Sequence, residues 1–228
     1  MLDQIADSIY FIESRSFDSN ITYIKSGDHE ILVDTGTGLY SSALDRDLQT
    51  QGSSLESITD IVLTHCHIDH IGGVVPLLEV GSPKLYLHKA EAEPINSGDM
   101  SPTLSDTFGA DLPPFKIDVI LEEGSLIDFG DIRLKVFHTP GHSAGSIVMR
   151  VEGSGILFTG DTLFPGGSFG RVDFPTGDPH KLVESLRRIS EMEFEIGLPG
   201  HMSAMKHNAR RSAITSYQMA KNWFNVSG

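Results

Sequence analysis

Short runs of apolar residues alternate with polar ones along the first third of the chain. Tyr10–Glu13, Ile21–Lys25 and Glu30–Val33 read as strands, with Ser26-Gly27-Asp28 turning between the last two. Past Asp34-Thr35-Gly36 the period lengthens, and Tyr40, Ala43, Leu44 and Leu48 recur at helical spacing up to Gly52. Ile61-Val62-Leu63 predicts a short buried strand, Leu85 and Leu87 a further one, and a short helix starts near Lys89. Residues 93–115 are punctuated by Pro94, Gly98, Pro102, Gly109 and Pro113-Pro114, which predicts a long irregular loop. Such a loop is either a lid or substrate rim, or a mobile surface excursion.

The second half repeats the pattern. Residues 117–121, 125–129, 132–138, 146–151 and 156–159 are strand candidates. Asp178-Pro179 supplies an N-cap and a first-turn proline for a helix whose buried stripe is Leu182, Val183, Leu186 and Ile189. Residues 194–198 predict a last strand, and Ile214, Tyr217, Ala220 and Phe224 the apolar face of a last helix. Strand groups flanked by helices in both halves predict a layered α/β sandwich. No linker-like shift in composition divides the 228 residues, so one domain over 1–228 is expected.

Charge narrows the partners. Seventeen basic against 31 acidic residues give a formal charge of −14, which repels polyphosphate and argues against nucleic acid. No apolar run is long enough for a bilayer, and Ile71–Val80 is broken by Gly72, Gly73 and Pro76. The first residues lack a basic segment and carry Asp3 and Asp7, which predicts no cleaved leader and a cytoplasmic location. The one cysteine, Cys66, excludes an internal disulfide.

Ten histidines are many for such a chain, and their placement is not random. In Thr64-His65-Cys66-His67-Ile68-Asp69-His70-Ile71-Gly72-Gly73, three imidazoles and a carboxylate fall within six residues after an apolar strand. These are ligand types suited to zinc or iron, and a turn there can aim several at one point. Three later segments repeat the device of a strand followed by a glycine turn with one ligand-type residue: His138-Thr139-Pro140-Gly141-His142, Thr159-Gly160-Asp161-Thr162 and Leu198-Pro199-Gly200-His201. Each is weak alone; together with the first cluster they complete a site.

In this order, HCHIDH, TPGH, GD and PGH resemble the metallo-β-lactamase-fold superfamily, from Val33-Asp34-Thr35-Gly36 through His201. The resemblance implies a four-layer αβ/βα sandwich with two divalent metal ions, zinc first, with iron or manganese as alternatives. It implies that His65, His67 and His142 hold one metal, Asp69, His70 and His201 the other, and Asp161 bridges. Gly160–Phe164 with Gly170-Arg171-Val172-Asp173-Phe174 looks most like glyoxalase II. That implies hydrolysis of a small acyl thioester by a hydroxide bridging the metals, oriented by Asp69 as catalytic residue. The GRxDF form is also similar to iron-dependent persulfide dioxygenases, the alternative reading; a lactonase or other ester hydrolase is third. Glyoxalase II carries a helical C-terminal substrate module, whereas 27 residues follow His201 here, enough for one helix.

Other residues take quieter roles. Asp34 is expected either to support the metal loops or to cap the next helix. Cys66 is expected to be a buried thiol, and His138 structural. Arg171 either binds an anionic substrate group or clamps loop carboxylates. The residues leave oligomeric state open.

Overall fold

The protein, a computed structural model, is described over residues 2–14 and 16–226. It divides into two compact units. One runs up to Leu121 and includes Phe129–Asp131; the other takes Glu122–Asp128 and everything from Ile132.

The first unit is built on a seven-stranded sheet whose spatial order is its chain order. β1 (Leu2–Ala6), β2 (Ile9–Ile12), β3 (Ile21–Ser26) and β4 (His29–Val33) pair antiparallel. β5 (Asp60–Val62), β6 (Lys84–His88) and β7 (Val119–Leu121) extend the sheet in parallel. Parallel neighbours need crossovers. These carry α1 (Ser41–Gln49), α2 (Ile68–Ile71), α3 (Val74–Val80) and α4 (Lys89–Ser97). Leu44 and Leu48 of α1, Val74 and Leu77 of α3 and Ala92 and Ile95 of α4 join Tyr23, Leu32, Ile61, Leu85 and Leu87 in one core.

The second unit holds β8 (Leu126–Asp128), β9 (Arg133–His138), β10 (Ile147–Val151), β11 (Ile156–Gly160) and β12 (Ile196–Pro199). Their spatial order is β12-β11-β10-β9-β8, antiparallel except for β11 beside β12. α5 (Pro179–Ser190) and α6 (Ala209–Trp223) pack with it. The Asp178 carboxylate accepts from the backbone N–H of His180 and Lys181, the cap that the sequence predicts, and Leu182, Val183, Leu186 and Ile189 are all buried.

Five expectations change. β1 had no signal, because a half-buried edge strand shows no clean alternation. Residues 93–97 are helical, not irregular: burial of Ala92 and Ile95 holds α4 together through Pro94 as far as Gly98, a left-handed terminus at φ 93°. The rest of 98–115 is not a surface excursion, since Leu104, Leu112 and Phe115 are buried around two short 3₁₀ turns. The last strand begins at Ile196, two residues late, because the N–H groups of Glu195 and Ile196 both turn to the carbonyl of Gly155. On α6 the buried stripe is Ala209, Ala213, Ser216 and Ala220; Ile214 faces outward, because small residues let the helix lie close.

Strand direction collects the candidate ligands. β4, β5 and β6 run in parallel, so the segments after Val33, Val62 and His88 share one edge of the first sheet. In the second sheet β10 opposes both β9 and β11, and β12 follows β11. The segments carrying His142, Asp161 and His201 therefore leave from one edge as well, the usual place for sites in α/β sheets.

Two substitutions test this packing by chemical denaturation. Asp178→Ala should cost about 1 kcal/mol through the lost cap. Leu186→Ala should cost about 2–5 kcal/mol through the cavity it leaves, whereas Ile214→Ala should stay within about 0.5 kcal/mol.

Candidate metal centre

In the first unit β5 ends, the backbone bends at Thr64, and His67 is extended at φ −61°, ψ 147°. The single turn of α2 then begins, so Asp69 and His70 project from a helix and not from an irregular turn. His65, His67 and His70 are all buried, and the His65 ring centroid lies 4.6 Å from that of His67 and 4.0 Å from that of His70. The Asp69 carboxylate stands at the edge of the cluster, its Oδ2 3.8 Å from Nε2 of His70.

Asp34, buried at φ +59°, fixes this cluster. Its Oδ1 accepts from the Thr64 N–H at 2.8 Å, and its Oδ2 from the Thr64 hydroxyl at 2.7 Å and His70 Nδ1 at 2.9 Å. A carboxylate only accepts, so His70 carries its proton on Nδ1 and keeps an Nε2 lone pair. Thr64 passes the order on: its hydroxyl proton goes to Asp34, leaving its oxygen to accept from His65 Nδ1 at 3.1 Å. Asp34 thus supports the ligand turn and caps no helix; no side-chain cap bond is made at α1. The loop that follows is strapped to the same turn by Thr35, whose N–H and hydroxyl both donate to the His70 carbonyl at 2.8 Å. Gly73 has to be glycine, because a Cβ there would collide with the Thr35 carbonyl.

Sequence reasoning missed Glu91. Its carboxylate, on α4 and 1% exposed, accepts from the Cys66 N–H at 2.8 Å, between two of the histidines. Nothing in Lys89-Ala90-Glu91-Ala92-Glu93 marks it out. Cys66 itself is fully buried and donates to the Pro102 carbonyl at 3.2 Å, tying the 98–115 segment to the histidine turn. Burial, and secondarily the Glu91 carboxylate, push its thiol well above the usual range.

In the second unit Asp161 is the centre. Its Oδ2 lies 3.6 Å from Nε2 of His142 and 3.5 Å from Nε2 of His201. His142 Nδ1 donates to the Arg171 carbonyl at 2.7 Å, which again turns Nε2 into the lone-pair atom. Gly170 is forced: a Cβ would strike the Asp161 carbonyl. The Arg171 side chain is exposed and clamps Asp173 bidentately, at 2.6 and 2.5 Å, as one of its two expected roles. His138 is structural, its Nε2 donating to the Ala144 carbonyl at 2.9 Å.

The donor chemistry of both units fits a metal. Two ligands about 2.1 Å from one ion at a tetrahedral angle stand about 3.4 Å apart, close to the 3.5–3.8 Å separations here. Imidazole nitrogens and carboxylate oxygens are a zinc or iron donor set.

Imidazole and carboxylate donors at the carboxyl edges of two α/β sheets define a metal-binding α/β protein. The chain belongs to the metallo-β-lactamase superfamily, whose family model matches residues 15–201, and its fold is of that type. It is 29% identical over 98% of its length to the human acyl-coenzyme A thioesterase MBLAC2, covering 86% of that protein. It is 35% identical over 80% of its length to the probable metallo-hydrolase MJ0888 of Methanocaldococcus jannaschii, covering 87% of it. Among solved structures, TTHA1623 in a di-iron-bound form superposes with a TM-score of 0.69 at 31% identity, over 85% of this chain and 92% of that one. Among the described residues no helix is long and apolar enough to cross a membrane.

Asp34→Asn keeps a residue that tolerates φ +59° but replaces the anionic acceptor of His70. Metal affinity, measured by competition with a chromophoric chelator, should fall about 10- to 100-fold with the fold retained. Cys66 should resist iodoacetamide at pH 8 in the native protein and react fully in denaturant; rapid native labelling would contradict its burial.

Proposed function

We propose that His65, His67 and His142 hold one divalent metal ion, that Asp69, His70 and His201 hold a second, and that Asp161 bridges them in a thioester hydrolase. On this reading the two units work as one functional domain. The carrying observation is the Asp161 oxygen set 3.6 and 3.5 Å from Nε2 of His142 and of His201, residues assigned to different ions. Zinc is the first metal expected, and the di-iron form of TTHA1623 supports iron as its competitor.

Bound there, the metals would bring a shared water towards ionisation at neutral pH and polarise a substrate carbonyl. Everything else falls to the chain. Asp69, at the half-buried edge of the cluster, orients the attacking water and takes up its proton. Asp34 and the Arg171 carbonyl keep the imidazoles in the tautomer that ligates. A thiolate leaves without needing much protonation, so the site requires no separate acid. The relative named acyl-coenzyme A thioesterase supports thioesters as the small-molecule substrate class. A glyoxalase II-like choice of glutathione as carrier is one form of this reading, in a cytoplasmic enzyme.

The persulfide dioxygenase, a single-iron enzyme, is the second reading, favoured by Gly170-Arg171-Val172-Asp173-Phe174. An oxygen electrode separates the two. The metal-loaded protein should release thiol from acyl thioesters without consuming oxygen; stoichiometric uptake with glutathione persulfide would replace the hydrolase with the dioxygenase. Asp161→Ala should lower thioester turnover at least about 100-fold with an unchanged circular dichroism spectrum. Wild-type turnover in that variant would remove the two-metal site.

A further inference from the structure

The second unit carries a groove of about 550 Å³, lined by residues 166–173 and by Met219, Trp223 and Phe224 at the end of α6. Its size is that of a small-molecule site, typically about 300–1,000 Å³. We propose that this groove receives the acyl chain of the thioester, so that the enzyme selects apolar acyl groups of more than a few carbons. The proposal rests on the thioesterase reading above.

Three features point there. The first is composition. Phe169, Val172, Met219, Trp223 and Phe224 make the walls, with Trp223 79% and Met219 51% exposed side by side. They stand one helical turn apart on α6, along one side of its stripe of small buried residues. Gly167 keeps the floor low, since a Cβ there would come within 2.6 Å of the Met219 sulfur.

The second is continuity with the ligands. The loop that lines the groove is the one whose Gly170 lies against the Asp161 backbone and whose Arg171 carbonyl accepts from His142. One loop therefore both supports two candidate ligands and lines the groove.

The third is charge. Among the lining residues Arg171 and Asp173 are the charged ones, and they close on each other. The Arg171 guanidinium holds the Asp173 carboxyl down at about 2 and lies 4.4 Å over the Phe174 ring. With its cation satisfied, the groove offers little to an anionic thiol carrier and much to a hydrocarbon chain.

Trp223 is the one tryptophan of the chain, so its emission reports directly on the groove. The first measurement follows that emission as S-methyl and S-decyl coenzyme A, non-hydrolysable thioethers, are added to the purified protein. The S-decyl compound should shift it to the blue, and the S-methyl compound should not. The second measurement takes KM along the series from acetyl- to lauroyl-coenzyme A. KM should fall about threefold per added methylene until the chain outruns the groove. Met219→Ala with Trp223→Ala should flatten that slope, whereas Ile214→Ala, on the same helix outside the groove, should keep it.

A KM independent of chain length, or a slope untouched by the double variant, would overturn the proposal. So would equal responses to the methyl and decyl compounds, which would make the carrier the occupant. Emission that is blue before any addition and turns red on dilution would assign the groove to a second copy of the chain and equally overturn it. A decyl-specific shift without hydrolysis of any thioester would leave the groove standing and remove the thioesterase reading instead.

Discussion

The carboxylate of Asp34 is the point on which the first unit's donor cluster turns. One side chain accepts from the backbone and hydroxyl of Thr64 and from the ring of His70, at 2.7–2.9 Å. Those bonds close the end of β5 onto the start of α2 and settle which nitrogen of two imidazoles keeps its lone pair. Three buried imidazoles packed ring against ring would otherwise be free to choose tautomer and rotamer, and a ligand set without a fixed orientation binds weakly. The residue stands at φ +59°, a conformation to which Asp is better suited than most side chains.

The second unit solves the same problem with backbone instead of a carboxylate. There the Arg171 carbonyl fixes the tautomer of His142, and glycine at 170 lets the loop come close enough for it to do so. In both units the donors leave from the carboxyl ends of like-directed strands, so a mixed sheet gathers residues distant in sequence at one edge. The loop that orients His142 is also the wall of the apolar groove, which couples what holds a ligand to what would hold a substrate.

What the sequence disclosed follows from how local each signal is. The helix from Pro179 was legible because cap, proline and buried stripe all lie within twelve residues. The ligand-type residues were legible because few structural needs explain so many imidazoles beside glycine turns. Glu91 was not, since its role depends on where α4 lands against the turn after β5. The inward face of α6 was misread because Ile214 is the more apolar residue, while the packing distance demanded alanine. The clamp of Arg171 on Asp173, one of its two readings, depends on how the folded loop turns back on itself.

The central claim is that one carboxylate serves two ligand sets, and metal stoichiometry tests it most directly. Protein stripped with chelator, reconstituted with zinc and dialysed against metal-free buffer should retain about two ions per chain by elemental analysis. A value of one ion per chain, unchanged at higher zinc, would contradict the shared-carboxylate account.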